Sequence, residues 1–143
     1  IGTDLMSGFP GETNDDFEQT CRTFLEQPFA YCHVFTFSER SGTPAARAND
    51  QVPMQERRRR SDRLRVLSAS KRHDFYEAQV GREARILIED PKNGCWPAYT
   101  ENYVRVLVRS DRSDLANRLA RVRLGRARPE YVEAELLEVL DQT

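Results

Sequence analysis

The chain has 143 residues, of which 31% are charged, and its formal net charge is −1 at pH 7. This length suffices for one ordinary domain or two very small ones, and no apolar run approaches the ~18 residues of a membrane-spanning helix, so no membrane partner is expected. The near-zero net charge by itself does not indicate a polyanionic partner. The three cysteines lack the C-x-x-C spacing of a metal site, so they fit free thiols in a reducing cytosol, and we expect a cytoplasmic protein.

The first predicted element is a short apolar strand, which runs into a loop containing Gly8 and Gly11. An amphipathic helix is predicted from Asp16 to Gln27, with Thr13 as its N-cap and Asp16 as the acidic partner of a capping box. Glycines in such a loop allow a sharp turn or a close approach of the backbone to a ligand. A plain, well-capped turn between strand and helix is the alternative interpretation.

A second strand is predicted from Tyr31 to Phe37, where aromatic and β-branched residues are concentrated. It leads into a second glycine-containing loop, with one short helical turn predicted at Ala45 to Arg47. Two strand–loop units in succession predict part of an α/β barrel, in which the chemistry lies on the loops that follow the strands. Because the chain opens on the first of these strands, we expect residues 1–53 to form the C-terminal arc of such a barrel.

One long helix is predicted after this arc, because no Gly or Pro interrupts residues 54–78. Its apolar stripe is thin and most of its surface is charged, so we expect a mostly solvated linker helix over residues 54–80. The run Arg57 to Arg60 is open to two interpretations, a contact with RNA phosphates or a solvated helix face.

After Gly81 the apolar residues alternate with polar ones, which is typical of strands with one buried face. Short strands are predicted around residues 84–89, 96–100, 103–109, 121–124 and 132–136. So many short strands in about sixty residues cover their apolar faces best by closing on themselves. We therefore predict a small OB-like β-barrel over residues 81–143.

Positive charge is concentrated in this predicted barrel, where residues 105–128 contain eight arginines and two aspartates. If the faces that carry these arginines meet, they form a basic stripe to which neighbouring tyrosines add stacking surfaces for bases. The candidate set comprises Arg105, Arg109, Arg121, Arg123, Tyr99 and Tyr103. Charged outer faces that only keep the barrel soluble are the alternative.

Three segments in order resemble the radical-SAM tRNA methylthiotransferases: residues 3–13 (TDLMSGFPGET), 33–47 (HVFTFSERSGTPAAR) and 50–52 (DQV). The closing segment is similar to their TRAM domain, a small RNA-binding β-barrel. Residues 99–106 (YTENYVRV) resemble the branch that acts on threonylcarbamoyladenosine in tRNA. Several positions depart from the family pattern: Ser7 stands where an aliphatic residue is usual, and Thr36 stands where proline is usual, as do Glu39 or Ser41 in many members.

The resemblance implies that the whole enzyme places a methylthio group on C2 of N6-threonylcarbamoyladenosine beside the anticodon of tRNA. It implies S-adenosylmethionine and two [4Fe-4S] clusters as cofactors, and a flavodoxin-like or ferredoxin-like reductant as a partner. The cysteine motifs that hold the family's clusters are not in this sequence. We therefore expect these residues alone to bind no cluster, to contain no catalytic residue or metal ligand, and to bind tRNA without modifying it.

The resemblance also implies site residues. Those expected beside S-adenosylmethionine are Gly8, Pro10, Gly11, Glu12, Val34 and Phe35. Those expected to bind the substrate are Ser38, Arg40, Thr43, Tyr99, Tyr103, Arg105, Arg121 and Arg123. Three alternatives stay open: a non-catalytic RNA-binding module, a methylthiotransferase acting on isopentenyladenosine in tRNA, and an interaction domain without an RNA role.

Overall fold

The computed structural model describes residues 1–140, which divide into two compact units between Arg72 and His73. We call residues 1–72 unit 1 and the residues from 73 onward unit 2. The domain boundaries predicted from the sequence, at residues 53 and 80, stay predictions. Within residues 1–140, no helix is both long enough and apolar enough to cross a membrane.

Unit 1 begins with a strand–helix–strand motif. Strand β1 spans Gly2–Ser7, helix α1 spans Asn14–Glu26, and strand β2 spans Tyr31–Thr36 and runs parallel to β1. A 3₁₀ turn at Ala45–Arg47 follows, and helix α2 spans Met54–Glu77. These elements confirm the predicted order of strand, loop and helix, whereas membership in a larger α/β barrel stays a prediction.

The two faces of the β1–β2 sheet have different surroundings. On one face, Leu5 and Val34 pack against a core formed by Phe17, Cys21 and Leu64 from the two helices. On the other face, the side chains of Met6 and Phe35 are 53% and 51% exposed. Parallel strands usually have both faces covered, so the exposed apolar face is unusual for this sheet type.

Most residues of helix α2 are exposed or half-buried, as predicted, but one of its faces is more deeply buried than the sequence indicates. One stripe of its surface is buried, and this stripe includes two arginines as well as smaller residues: Arg57, Arg60, Ser61, Leu64 and Ser68. These positions follow the i, i+3, i+4, i+7 spacing of a single helix face. The prediction that the charged residues lie in solvent is wrong for Arg57 and Arg60, because an arginine side chain can be buried when its guanidinium group finds acceptors.

Unit 2 contains a closed five-stranded barrel, which confirms the predicted small β-barrel. Its strands are β3 (Glu83–Ile88), β4 (Trp96–Thr100), β5 (Arg105–Val108), β6 (Leu119–Ala127) and β7 (Val132–Leu140). Around the barrel they follow the order β3-β4-β5-β7-β6, and β6 pairs with β3 to close it. The β5–β7 pair is parallel and the other pairs are antiparallel.

The predicted alternation accounts for the barrel core. Ile86, Ile88, Val106, Val122 and Val132 are each at most 1% exposed. The residues between them on the same strands point outward, so the charged side chains of the barrel lie on its outer surface. The strand order therefore determines which outward side chains become neighbours.

Candidate cofactor loops and nucleic-acid interface

The loop between β1 and α1 is held by hydrogen bonds within the chain. Gly8 and Gly11 adopt φ values of +79° and +83°, a region that glycine enters without steric cost. The Gly8 N–H donates to the carboxylate of Glu12 (3.1 Å), and the Gly11 N–H donates to the carbonyl of Asp50 (3.0 Å). Both glycine N–H groups are thus occupied by protein acceptors. Pro10 lies in the turn between them and is half-buried.

The predicted capping box at the start of α1 is confirmed. The Asp16 N–H donates to Thr13 Oγ1 (3.1 Å), and the Thr13 N–H donates to the Asp16 carboxylate (2.9 Å). The pKa of Asp16 is lowered below its usual value, first by the Thr13 hydroxyl, which donates to the carboxylate (2.7 Å), and then by the Thr13 N–H. The backbone hydrogen bonds between Thr13 and Asp16 form the reciprocal pair of the capping box. They satisfy donors that the first turn of a helix would otherwise leave without partners.

Buried Arg60 fixes the end of the same loop. Its guanidinium group donates to the Glu12 carboxylate, to the Glu12 carbonyl (2.9 Å) and to Asn14 Oδ1 (2.9 Å). The side chain of Glu12 is only 13% exposed as a result. The carboxylate that the sequence places at the loop mouth is therefore engaged in holding the loop to α2.

Buried Arg57 fixes the second loop in a similar way. Its guanidinium group donates to the carbonyl of Val52 (2.6 Å), the carbonyl of Phe37 (3.3 Å), Gln51 Oε1 (2.9 Å) and the Glu39 carboxylate (2.7 Å). The same guanidinium group lies 5.1 Å from the centre of the Phe37 ring. One helix residue thus joins the start and the end of the loop that follows β2.

Three hydroxyl groups lie where β1, β2 and α2 meet. Ser61 Oγ is 2.8 Å from Ser7 Oγ and 2.6 Å from Thr36 Oγ1, and Ser7 is fully buried. Ser7 and Thr36 are among the positions that depart from the family pattern. Their hydroxyls satisfy each other through Ser61, so the polar groups are buried with partners.

The remaining candidate residues of unit 1 have different surroundings. Thr43 Oγ1 donates to the Arg40 carbonyl (2.8 Å) and accepts from the Ala46 N–H (3.2 Å), so it joins the loop to the 3₁₀ turn. Ser38 and Arg40 are exposed. Val34 faces the helices, whereas its neighbour Phe35 lies on the exposed face of the sheet.

The cysteines in these residues do not fit an iron–sulfur cluster. Within residues 1–140, no group of three or more His, Cys, Asp or Glu side chains could hold a metal ion. Burial raises the pKa of the Cys21 and Cys32 thiols, although a cluster ligand must be a thiolate. The thiols in these residues are therefore not arranged as the ligands of an iron–sulfur cluster.

Glu56 links the stability of unit 1 to pH. Hydrogen bonds from Arg59 and then Arg60 lower the pKa of Glu56 from 4.5 to about 2. Because the folded pKa lies below the unfolded one, this stabilisation is complete above the unfolded value and is lost as the pH falls towards about 2. We expect the stability of unit 1 to decline less steeply over this pH range in Glu56→Gln than in the wild type. Acid unfolding followed by NMR measures this decline. If the stability curves of the wild type and the variant ran parallel, the pH dependence would not come from Glu56.

In unit 2, the arginines of β6 are already paired with acids. Arg121 lies 2.9 Å from the Glu138 carboxylate and 3.9 Å from that of Glu83, and Arg123 lies 3.2 Å from Glu83. Strand β7 separates β5 from β6, and its Glu135 is the register partner of Arg123. The arginines of β5 and β6 are therefore not on neighbouring strands, and Glu135 interrupts the basic stripe considered in the sequence analysis, although Arg109 and Arg126 border one pocket together with Glu133.

Tyr99, Tyr103 and Arg105 lie together on a different part of the barrel surface. Tyr99 on β4 is the register partner of Arg105 on β5, and the ring centres of Tyr99 and Tyr103 are 6.3 Å apart. The two tyrosines border an open groove of about 420 Å³, which exposed Leu87 and Arg85 of β3 and Glu101 also line, and Arg105 lies beside the groove as the register partner of Tyr99. We call Tyr99, Tyr103, Arg105, Arg85 and Leu87 the tyrosine platform. The sequence analysis missed Arg85 and Leu87, although both are outward positions in the period-two pattern of β3.

Comparison with known proteins gives relatives in one class of enzyme, and no protein-family model matches the chain. It is 41% identical over 106 residues (74% of this chain) to the threonylcarbamoyladenosine tRNA methylthiotransferase MtaB of Rickettsia prowazekii. It is 31% identical over 99% of its length to MtaB of Bacillus subtilis. It is also 34% identical over 96% of its length to the tRNA-2-methylthio-N(6)-dimethylallyladenosine synthase of Pseudomonas paraeruginosa.

The matched region lies in the C-terminal part of these relatives and covers 24%, 32% and 32% of their lengths, respectively. The chain thus spans about a quarter to a third of the curated relatives that it matches. The two matches that extend over 96–99% of this chain include both glycine loops, the long helix and the barrel. The chain belongs to the tRNA methylthiotransferase family.

Proposed function

We propose that the protein containing this chain transfers a methylthio group to C2 of N6-threonylcarbamoyladenosine next to the anticodon of tRNA. The observation that carries this proposal is the similarity to two MtaB proteins, at 41% identity over 74% and 31% over 99% of the chain. A second candidate substrate is isopentenyladenosine in tRNA, which the 34% identity to a dimethylallyladenosine synthase favours.

The nucleosides of cellular tRNA distinguish the two substrates. Mass spectrometry of digested tRNA from cells with and without the gene measures each methylthio nucleoside and its precursor. We expect the gene deletion to remove the methylthio form of threonylcarbamoyladenosine and to leave its precursor in place. Loss of the methylthio form of isopentenyladenosine instead would support the second candidate, and unchanged levels of both would overturn the proposal.

Unit 1 contributes the two glycine loops to this function. In the whole protein, S-adenosylmethionine and two [4Fe-4S] clusters, reduced by a flavodoxin-like or ferredoxin-like donor, would supply the methyl group, the radical and the sulfur. The residues of this chain proposed to border S-adenosylmethionine are Gly8, Pro10, Gly11, Glu12, Val34 and Phe35. These residues would position the ligand and take no part in bond making or breaking. The hydrogen bonds that Arg57 and Arg60 donate, described above, keep the two loops in place against α2.

Unit 2 is proposed to bind tRNA, and Ser38, Arg40 and Thr43 are proposed to contribute to substrate binding from the loop after β2. Support comes from the closed five-stranded barrel, an architecture that often presents nucleic acids with an exposed strand face. Exposed Arg105 makes no ion pair with another residue in the range 1–140, so its charge is available for a phosphate. We expect the chain alone to bind tRNA without modifying it.

Salt dependence tests this binding. About three phosphate contacts release enough counterions to give a slope of about −2 to −3 for log K against log[salt]. Fluorescence anisotropy of labelled tRNA at increasing KCl concentrations measures this slope. An affinity that ignores salt would contradict arginine–phosphate contacts, and a chain that binds no tRNA would favour an interaction domain without an RNA role.

A further inference from the structure

We propose that the tyrosine platform of unit 2 binds unpaired nucleotides of an RNA strand. Bases stack on the rings of Tyr103 and Tyr99, and phosphates lie at Arg105 and Arg85. This inference deepens the tRNA-binding function proposed above and rests on it. It assigns the contact to the β3–β4–β5 side of the barrel and not to the arginines of β6.

The first argument is the position of Tyr103. Its φ is +64°, a conformation that a bulky residue rarely adopts, and its side chain is 73% exposed. Asparagine or glycine would occupy this backbone position more easily. An exposed aromatic ring in an unfavourable backbone conformation is the pattern expected where a side chain is presented to a ligand.

The second argument is the rigidity of the turn that carries Tyr103. Thr100 accepts the Tyr103 N–H with its carbonyl (3.0 Å) and the Val104 N–H with its hydroxyl (2.9 Å). The side chain of Asn102 accepts from the Thr100 hydroxyl (2.6 Å) and donates to Gln79 (3.3 Å). A ring on such a fixed turn loses little backbone entropy when a base stacks on it.

The third argument is the apolar surface beside this ring. Leu87 is 53% exposed and Tyr99 is 40% exposed, although both lie in the middle of paired strands. The Tyr99 and Tyr103 rings are inclined at 54° to each other and border the 420 Å³ groove. Two aromatic faces and an aliphatic side chain provide stacking surface for the flat faces of nucleobases.

The fourth argument is charge. Arg105 lies beside Tyr99 without an acidic partner among residues 1–140, and the nearest acid to Arg85 is Glu101, at 3.9 Å. The arginines of β6, in contrast, form closer ion pairs with Glu138 and Glu83. Arg105 therefore lies next to the rings without an acidic partner among the described residues, and Arg85 forms only a long, exposed ion pair with Glu101, so both cations can meet the phosphates of a single strand.

This combination favours unpaired over paired nucleotides. In an RNA duplex the base faces are covered by their stacked neighbours, so a protein meets phosphates, 2′-hydroxyls and base edges. The rings of the platform would then have nothing to stack on. In a loop or single strand the base faces are accessible, and both the rings and the arginines have partners.

The test measures RNA binding by the full chain with three variants. The probes are labelled tRNA, a single-stranded RNA of about ten nucleotides, which suits one OB fold, and a blunt duplex of the same sequence. Tyr103→Asn removes the ring at a position that asparagine tolerates, so the fold is preserved. Tyr103→Phe keeps the ring, and Tyr131→Ala, in the turn between β6 and β7, is the matched control outside the platform.

We expect Tyr103→Asn to weaken binding of the single strand roughly 5- to 100-fold, because each stacked base contributes about that much. Tyr103→Phe and Tyr131→Ala should retain wild-type affinity, and duplex binding should not respond to Tyr103→Asn. If the wild type binds tRNA, and Tyr103→Asn binds the single strand as tightly as the wild type does, the proposal for the tyrosine platform is wrong and the proposed tRNA binding stands. Equal weakening for single strand and duplex would also overturn base stacking, and a wild type that binds neither tRNA nor single strand would overturn both proposals.

Discussion

Arg57→Ala is expected to destabilise unit 1 by about 2–4 kcal/mol. The Arg57 side chain is 3% exposed and donates to two backbone carbonyls and two side chains of the second loop. Alanine leaves the carbonyls of Val52 and Phe37 without this donor. The ion pair with Glu39 adds less, because the Glu39 side chain is 49% exposed and solvent screens it.

Arg58→Ala is the matched control, because Arg58 is the next residue on the same helix and is exposed. Its removal should change stability by less than about 0.5 kcal/mol. Native-state hydrogen exchange of the Phe17 and Cys21 amides reports on unit 1, and the Val106 and Val122 amides provide an internal reference in unit 2. Equal effects of the two substitutions would contradict the role assigned to the buried guanidinium group.

Gly8→Ala is expected to destabilise unit 1 by a similar amount, about 2–4 kcal/mol. The φ of +79° is unfavourable for alanine, and a Cβ at this position would lie 2.4 Å from Cγ and 2.8 Å from Cβ of Arg57. These atoms are the base of a side chain whose end is held by four acceptors, so they cannot move away without breaking hydrogen bonds.

Gly42→Ala separates the cost of a positive φ from the cost of the close approach to Arg57. Gly42 has a similar φ of +86°, but a Cβ there would have no heavy atom within 4 Å. Its substitution should cost only the backbone term, about 1 kcal/mol. The same exchange measurement applies, and equal losses at Gly8 and Gly42 would show that the close approach of Arg57 contributes nothing. Because Gly8 and Arg57 are in contact, the effects of their substitutions should not add.

These substitutions examine how α2 positions the two loops. Arg57 contacts the loop after β2 and lies against Gly8 in the loop after β1, and Arg60 contacts Glu12 and Asn14. If the loops border S-adenosylmethionine in the whole protein, as proposed, their geometry at the ligand depends on the hydrogen bonds that this helix donates. Changes at Arg57 or Arg60 would then alter binding through the position of the loops.

Features that depend on neighbours along the chain could be predicted from the sequence. The Thr13–Asp16 capping box, the 3₁₀ turn at Ala45–Arg47 and the helix that begins at Met54 follow from residue type and spacing. The alternation of apolar residues after Gly81 predicts both the strands and their buried faces. Each depends on the local periodicity of helices and strands, which a single sequence contains.

Only the tertiary structure decided the surroundings of the charged and aromatic side chains. Arg57 and Arg60 are buried because distant loops supply acceptors, Arg121 is paired because β7 brings Glu138 beside it, and Tyr99 lies beside Arg105 because β4 pairs with β5 in that register. The strand order and register are set by packing between residues far apart in sequence, which periodicity does not encode. The sequence by itself therefore determined the elements and the family resemblance, whereas long-range packing decided which arginines hold the fold and which remain exposed on the barrel surface.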